Sequence, residues 1–441
     1  MNRIDLAFGR TLTLLLVLAI VSIACTSESA QEPSASDVTT TSTAYDEVIL
    51  TLGGWRTATG HMNQLLAEFH REYPHITVRF DPSDSAEYDS ILEAQLEAGT
   101  APDVFYVRSY SSSEALFQEG HLISLSGLPG LEEQFSPAVL AAWSTDDGVP
   151  YAVPFSATSH GVYYNQDLFQ DLGLGVPGTW DEFLVTADRL DEAGVIPLAN
   201  GTKVGWALAE TIFMNLAPGF IGGREGRQAY LSGERCFNDE SMVSAFQAVQ
   251  DLAPFLPQDH HLLGYIDSLQ LFAQGKAAMW LSGSWDIPYF EEAEPNFAWS
   301  VFAVPPPASR RGCVTFHPDV GIGLNASSTR QDEARAFLNW MTRPEFGRLL
   351  GSEMPGFFPM HRESLVLEND HANAFLALNQ GRDTDIRFVW EALREGSPSG
   401  YALVQQGTKD VLLGKQSPQE AADALQEGLA AWFEPAQICE D

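Results

Sequence analysis

Residues 151–183 read YAVPFSATSHGVYYNQDLFQDLGLGVPGTWDEF, and this stretch decides the fold. Its first five residues are an apolar run in which Pro154 predicts a strand end, because proline has no N–H to give to a ladder. Val162, Tyr163 and Tyr164 are branched and aromatic, the composition of a second strand. Asn165 predicts the N-cap of a helix that Gly173 closes. Thr179 predicts the cap of the next helix, whose first turn carries Asp181 and Glu182, where negative charge suits the helix dipole. The bridge between the two strands, residues 156–160, reads as a hinge where the chain passes from one lobe to another.

Upstream, the residues alternate between strand and helix patterns. VILTL (48–52) predicts a buried strand ending at Gly53-Gly54, and Met62, Leu65, Leu66 and Phe69 recur at the spacing of one helix face. ITVRF (76–80), a helix over 87–97 and a strand over 103–107 follow. A β-α-β-α-β order implies a parallel sheet flanked by helices, with ligands gathering beyond the strands' carboxyl ends. Downstream, helices dominate over 179–193, 205–216 and 239–252. Strand patterns return at WSVFAVP and HPDVGIGL, then helices at 332–342, 344–351 and 417–433. At 441 residues the chain is too long for one core and predicts two lobes, between which it passes more than once.

The formal charge of −35 excludes a nucleic-acid partner, since phosphates would be repelled. It suits a self-repelling soluble surface, or an acidic site for a cationic ligand. Arg3 and Arg10 precede an apolar run over 12–23 that is too short to span a bilayer, the pattern of a signal peptide. SIAC at 22–25 resembles the lipobox of bacterial lipoproteins, which implies lipidation of Cys25 and a membrane anchor; the alternative is an ordinary signal peptide cut near Ala30. Residues 1–24 are thus the expected signal peptide, and 25–45, rich in Ser, Thr, Glu and Pro, an expected disordered tether. Of Cys236, Cys313 and Cys439, two can pair in an oxidising compartment and one is left over. No Cys/His cluster suggests a metal, and no cofactor is expected.

Six segments in order carry a resemblance: LLAEFHREYPHITVRF, LEAGTAPDVFYV, YAVPF…YYNQDLF with TWDEF, FAQGKAAMWLSGSW, GIGLNASSTRQDEARAFLNWMT and GKQSPQEAADALQEGL. The chain resembles the extracellular solute-binding proteins of ABC transporters, of the sugar-binding, maltose-binding-protein-like type. The resemblance implies an α/β, two-lobed periplasmic-binding-protein-like fold (type II), each lobe a mainly parallel sheet flanked by helices, with discontinuous lobes joined by a hinge. The expected division is 46–156 with 322–372 for the first lobe and 157–321 with 373–437 for the second. The implied protein is a monomer that is not an enzyme, working outside the cytoplasm with a sugar and ABC permease subunits as partners.

Sugars need flat aromatic plates and planar polar groups. Trp55 and Arg56 follow the first strand, and Arg108, Ser109 and Tyr110 the third. Ser159 and His160 lie in the bridge. Trp285 follows a strand into a Gly/Ser loop, and the resemblance implies that it stacks on the sugar, with Asp286 accepting hydroxyl hydrogen bonds. Trp206 and Glu210 share a helix face by spacing. Phe316, His317 and Asp319, ahead of a second crossover at Gly321, with Phe357 and Trp390, complete the candidates. Trp180 is expected to pack between helices.

Gly173, Gly175 and Gly178 match G-x-G-x-x-G but follow a helix, so they are no phosphate cradle. Asp81, Asp84, Glu87 and Asp89 lack the spacing of an EF-hand and read as a solvated helix start. No G-x-S-x-G elbow, nucleophile–base pair or carboxylate pair supports a hydrolase. The same fold with another solute, glycerol phosphate or a polyamine, is the nearest alternative, followed by a secreted glycoside hydrolase and a receptor module without solute.

Overall fold

The computed structural model describes residues 47–55, 59–85, 87–363, 366–389 and 391–440. The signal peptide, the tether, Cys25, Arg56 and Trp390 lie outside the described residues. Among the described residues there are nine strands: β1 (Val48–Trp55), β2 (Ile76–Ser83), β3 (Val104–Arg108), β4 (Ala152–Asn165), β5 (Ile196–Leu198), β6 (Ala277–Gly283), β7 (Trp299–Phe302), β8 (Cys313–Leu324) and β9 (Asp383–Asp385). They join in the order β2-β1-β3-β8-β4-β6-β5, with β7 on β4 and β9 on β8. β1 runs parallel to β2 and β3, as the alternating pattern implies, and β5 runs parallel to β6. The two long strands β4 and β8 run antiparallel to their partners within the main path, so the sheet is mixed.

β4 is where the expectation of two strands gives way to one. Its first half pairs with β8 and its second half with β6 and β7. Pro154 does not end it. The register instead shifts between Pro154 and Ser156 and again between Ser156 and Ala157, an irregularity that accommodates the missing donor. β1 likewise runs on through Gly53-Gly54 to Trp55, because these glycines are packing positions. A Cβ on Gly54 would lie 2.9 Å from the Tyr106 ring. In β8, Gly321 and Gly323 face one way, as residues two apart in a strand must. They admit Trp143 and Leu122, which a Cβ would meet at 2.7 and 2.5 Å.

Separate cores explain the two lobes. Leu50, Leu52, Phe69, Phe105, Trp143, Ile322 and Trp340 belong to one, around β1, β3 and the start of β4. Phe213, Phe246, Leu281 and Leu425 belong to a second, and Tyr163, Trp280, Trp299 and Phe375 to a third beside it. β4 and β8 pass between them. A further crossing follows Phe357, which packs in the first core, whereas Phe358 packs with Tyr163 and Trp299. The boundary expected at residue 372 falls inside the helix Asp370–Ala377, whose Ala372 and Phe375 share that third core.

The predicted caps form as their chemistry requires. Asn165 accepts from Leu168 N, Gly173 takes φ 62°, and Thr179 and Glu182 make a reciprocal capping box. Trp180 stacks on Phe183 at 5.0 Å and donates to Asp251, a packing role. Cys236 pairs with Cys439, and Cys313 is a buried thiol.

Candidate functional site

A cleft of about 1180 Å³ opens between the lobes. On the first-lobe side β1 ends at Trp55 and β3 at Arg108, so both side chains reach the cleft from strand carboxyl ends. The Arg108 guanidinium lies 4.7 Å from the Trp55 ring centroid, a cation–π contact, and meets both oxygens of Asp89 at 2.9 Å. Burial alone would raise the Asp89 pKa, but Arg108 and then Arg394 outweigh it and hold the carboxyl below its usual value.

The second-lobe side is built on a distorted helix. The expected helix over 205–216 begins at Gly205–Ala207, widens into a π-helical segment Leu208–Phe213 and resumes at Met214–Ile221. Such widened turns recur at functional sites. Here the segment carries Glu210 to Arg387, at 2.7 Å. Arg387 also donates to Asp319 at 3.0 Å and to His160 Nε2 at 3.3 Å, and its guanidinium lies 5.5 Å from the Trp285 ring centroid. A third arginine, Arg394, sits 4.8 Å from the Tyr401 ring centroid and 3.5 Å from Asp89, a contact that crosses from one wall to the other. Burial, then the charge of Arg108, lowers the Arg394 pKa. Each of three cleft arginines therefore carries a facing carboxylate and an adjacent aromatic ring.

Trp285 leaves β6 through a short 3-10 turn, Ser284–Asp286, and packs against the first-lobe core although its strand belongs to the second. Its ring lies on Gly283, where a Cβ would come within 2.1 Å. Asp286 is buried, accepts from Tyr265 and from Trp280 Nε1, and has its pKa pushed up to about 6 by desolvation, against the lowering effect of hydrogen bonds from Ser282, Trp280 and Tyr265.

Of the residues expected at the site, Trp55, Arg108, Trp206, Glu210, Trp285, Asp286 and Phe357 line this cleft. Arg56 and Trp390 lie outside the described residues. The others stand elsewhere. Ser109 is fully buried. Tyr110 holds a positive φ of 66° at the start of the helix Ser111–Gln118 and packs against both the first and second cores, its hydroxyl pKa pushed up to about 12 by burial. Ser159 is buried, and its N–H donates to Ser284 Oγ. His160 lies behind Trp285, edge to face at 5.1 Å, and burial followed by Arg387 lowers its pKa well below the usual value, leaving it neutral. His317 is neutral for the same causes and bonds Thr158 and the Pro318 carbonyl. Phe316 packs on Phe358 at 5.9 Å. These correct the reading of the bridge: it supports the wall from behind, because β4 is continuous there and turns these side chains into the sheet's packing.

Asp89, Tyr265, Arg387, Arg394 and Tyr401 line the cleft without having been singled out as binding residues, whereas Asp319, expected ahead of the second crossover, lines it with them. Asp89 had a signal, an acidic helix start directly after β2. The two late arginines had none, since Arg387 and Arg394 meet Glu210, Asp319 and Asp89 only across long separations in the chain.

The model for a bacterial extracellular solute-binding protein matches residues 56–347. The multiple sugar-binding protein of Streptococcus mutans is 25% identical over 390 residues, covering 85% of this chain and 87% of its own. The sn-glycerol-3-phosphate-binding periplasmic protein of Rhizobium meliloti is 22% identical over 407 residues, covering 86% and 92%. A solved chitin oligosaccharide binding protein superposes with a TM-score of 0.76 at 21% identity, over 89% of this chain and all of its own, and shares the fold. With an interlobe cleft in place and a family match over well more than half its length, the chain belongs to the bacterial extracellular solute-binding proteins.

Proposed function

We propose that this protein is the substrate-binding lipoprotein of an ABC importer, capturing a carbohydrate, an oligosaccharide, between its lobes and delivering it to the permease. The observation that carries the reading is the cleft's composition: Trp55, Trp206, Tyr265, Trp285 and Tyr401 line it, while Arg108, Arg387 and Arg394 face Asp89, Glu210 and Asp319. Aromatic faces suit the C–H faces of sugars, and polar groups held by one another suit hydroxyls better than a net charge. The similarity to a multiple sugar-binding protein supports the same class. Closure would pivot on β4 and β8, near 155–158 and 321–324, and occupancy would reach the permease as a shift in lobe population. Anchoring through Cys25, a monomeric state and the lobe division at 156 and 322 belong to this proposal.

The similarity to a glycerol-3-phosphate-binding protein supports an anionic solute as the second reading, for which the arginines would have to release their carboxylates. A thermal-shift screen with raffinose, maltotriose, chitotriose, glycerol 3-phosphate and spermidine separates them. A ligand at about 100 times its Kd stabilises by about 2.7 kcal/mol. A shift with glycerol 3-phosphate or spermidine and with none of the sugars would sink the carbohydrate reading.

A further inference from the structure

We propose that Tyr265 is a positioning residue for the Trp285 plate, its hydroxyl held by the Asp286 carboxylate so that its oxygen stays turned to the Trp285 indole N–H. The inference rests on the carbohydrate reading only for what the plate touches. The geometry stands by itself. Trp285 Nε1 donates to Tyr265 Oη at 2.7 Å. Tyr265 Oη in turn donates to Asp286, 2.8 Å from Oδ1 and 2.7 Å from Oδ2. A phenol has one proton and must accept with the lone pairs on the same oxygen. An ionised acceptor therefore commits the proton to one side and leaves the oxygen free to accept from the indole on the other.

Three further observations make this a device for the plate. The Asp286 carboxylate is buried and is reached by neutral donors alone, Ser282, Trp280 Nε1 and Tyr265 Oη, with the Ser282 hydroxyl also 3.1 Å from Tyr265 Oη, a costly arrangement where core packing alone would serve. Tyr265 opens the helix Tyr265–Ala273 directly after Gly264, whose N–H is held by Asp267 at 2.9 Å, so the phenol is mounted on a capped helix end. The Tyr265 ring also lies 4.5 Å from Trp206, so one side chain braces two cleft aromatics, by ring contact and by hydroxyl. Without the hydroxyl, the indole of Trp285 keeps its bed on Gly283 but loses the bond that sets its rotation.

The test uses the ligand-free, isotope-labelled full chain, with the Trp285 indole N–H cross-peak assigned by its loss in Trp285→Phe. In Tyr265→Phe the cross-peak is expected to shift toward the position of a solvated indole, and its exchange with water to quicken at least tenfold. Asp286→Asn, which keeps one acceptor oxygen for the hydroxyl, is expected to move it part of the way. With whichever of raffinose, maltotriose or chitotriose binds the natural protein, Tyr265→Phe is expected to bind at least fivefold more weakly while still unfolding cooperatively. A Trp285 cross-peak and exchange rate unchanged in Tyr265→Phe overturns the proposal; should that variant not fold, an unchanged cross-peak in Asp286→Asn does so. If no sugar binds the natural protein, the carbohydrate reading fails while the cross-peak still decides the role of Tyr265.

Discussion

The two walls of the cleft hold their charges in different ways. On the first-lobe wall, Arg108 is gripped by an Asp89 whose side chain is 56% exposed. On the second, Arg387 at 5% exposure is wedged between Glu210 at 7% and Asp319 at 9%. An exposed pair gains little and can rearrange, typically contributing about 0–1 kcal/mol. A buried pair fixes its members, because losing one partner strands the other in a low-dielectric site. The second wall is thus pre-organised, with Trp285 seated on Gly283 and Arg387 beside it, whereas the first is adjustable. Arg394, reaching Asp89 from the second lobe at 3.5 Å, links the two walls.

The contrast can be broken most severely at Arg387. Arg387→Met leaves Glu210 and Asp319 buried without their cation, and is expected to cost about 3–5 kcal/mol in denaturant unfolding. A loss under about 1 kcal/mol would mean that the second wall is no more fixed than the first.

Asp286 offers a pH test of the same wall. Its pKa is raised by burial to about 6, so the folded protein binds that proton more tightly than the unfolded chain. Its contribution to stability is therefore complete below the ordinary carboxylate pKa and is lost as pH rises through about 6. The ionisable groups that sense it are the Tyr163, Tyr265 and Tyr289 hydroxyls. The stability of the natural protein relative to Asp286→Asn should fall by on the order of 2 kcal/mol between about pH 4 and pH 6. A flat difference would place the carboxylate in a better-solvated site than the structure gives it.

Trp285→Ala should weaken sugar binding at least tenfold, about 1.4 kcal/mol, in calorimetry. Unchanged affinity in a folded variant removes Trp285 from the site. The smallest effect is expected on the first wall: Asp89→Asn should change stability by less than about 1 kcal/mol, as befits a half-exposed pair. A larger loss would show that Asp89 belongs to the buried network through Arg394.

Much of the scaffold was legible in local chemistry. The caps at Asn165 and Thr179, the helix face of Leu65, Leu66 and Phe69, and the strand ahead of Trp285 depend on neighbours a few residues away, which a linear pattern records. The failures were of another kind. Pro154 and Gly53-Gly54 read as strand ends because those residues usually interrupt ladders. Here one sits at a bulge and the others make room for Pro102, Tyr106 and Phe80. Ser159, His160, Phe316 and His317 were placed near the cleft by their position along the chain, yet β4 and β8, which run unbroken between the lobes, turn them into packing.

By itself the amino-acid sequence determined the alternation of strands and helices, the two-lobed class and the placing of Trp55, Arg108 and Trp285 at the ends of strands, since periodicity and turn chemistry act locally. Only the tertiary structure decided which cysteines pair, that β4 and β8 are single strands shared by both lobes, and that Arg387 meets Glu210 and Asp319 from far along the chain. Those outcomes depend on packing and on charges finding partners across long separations, where many pairings satisfy the same local pattern and burial selects one.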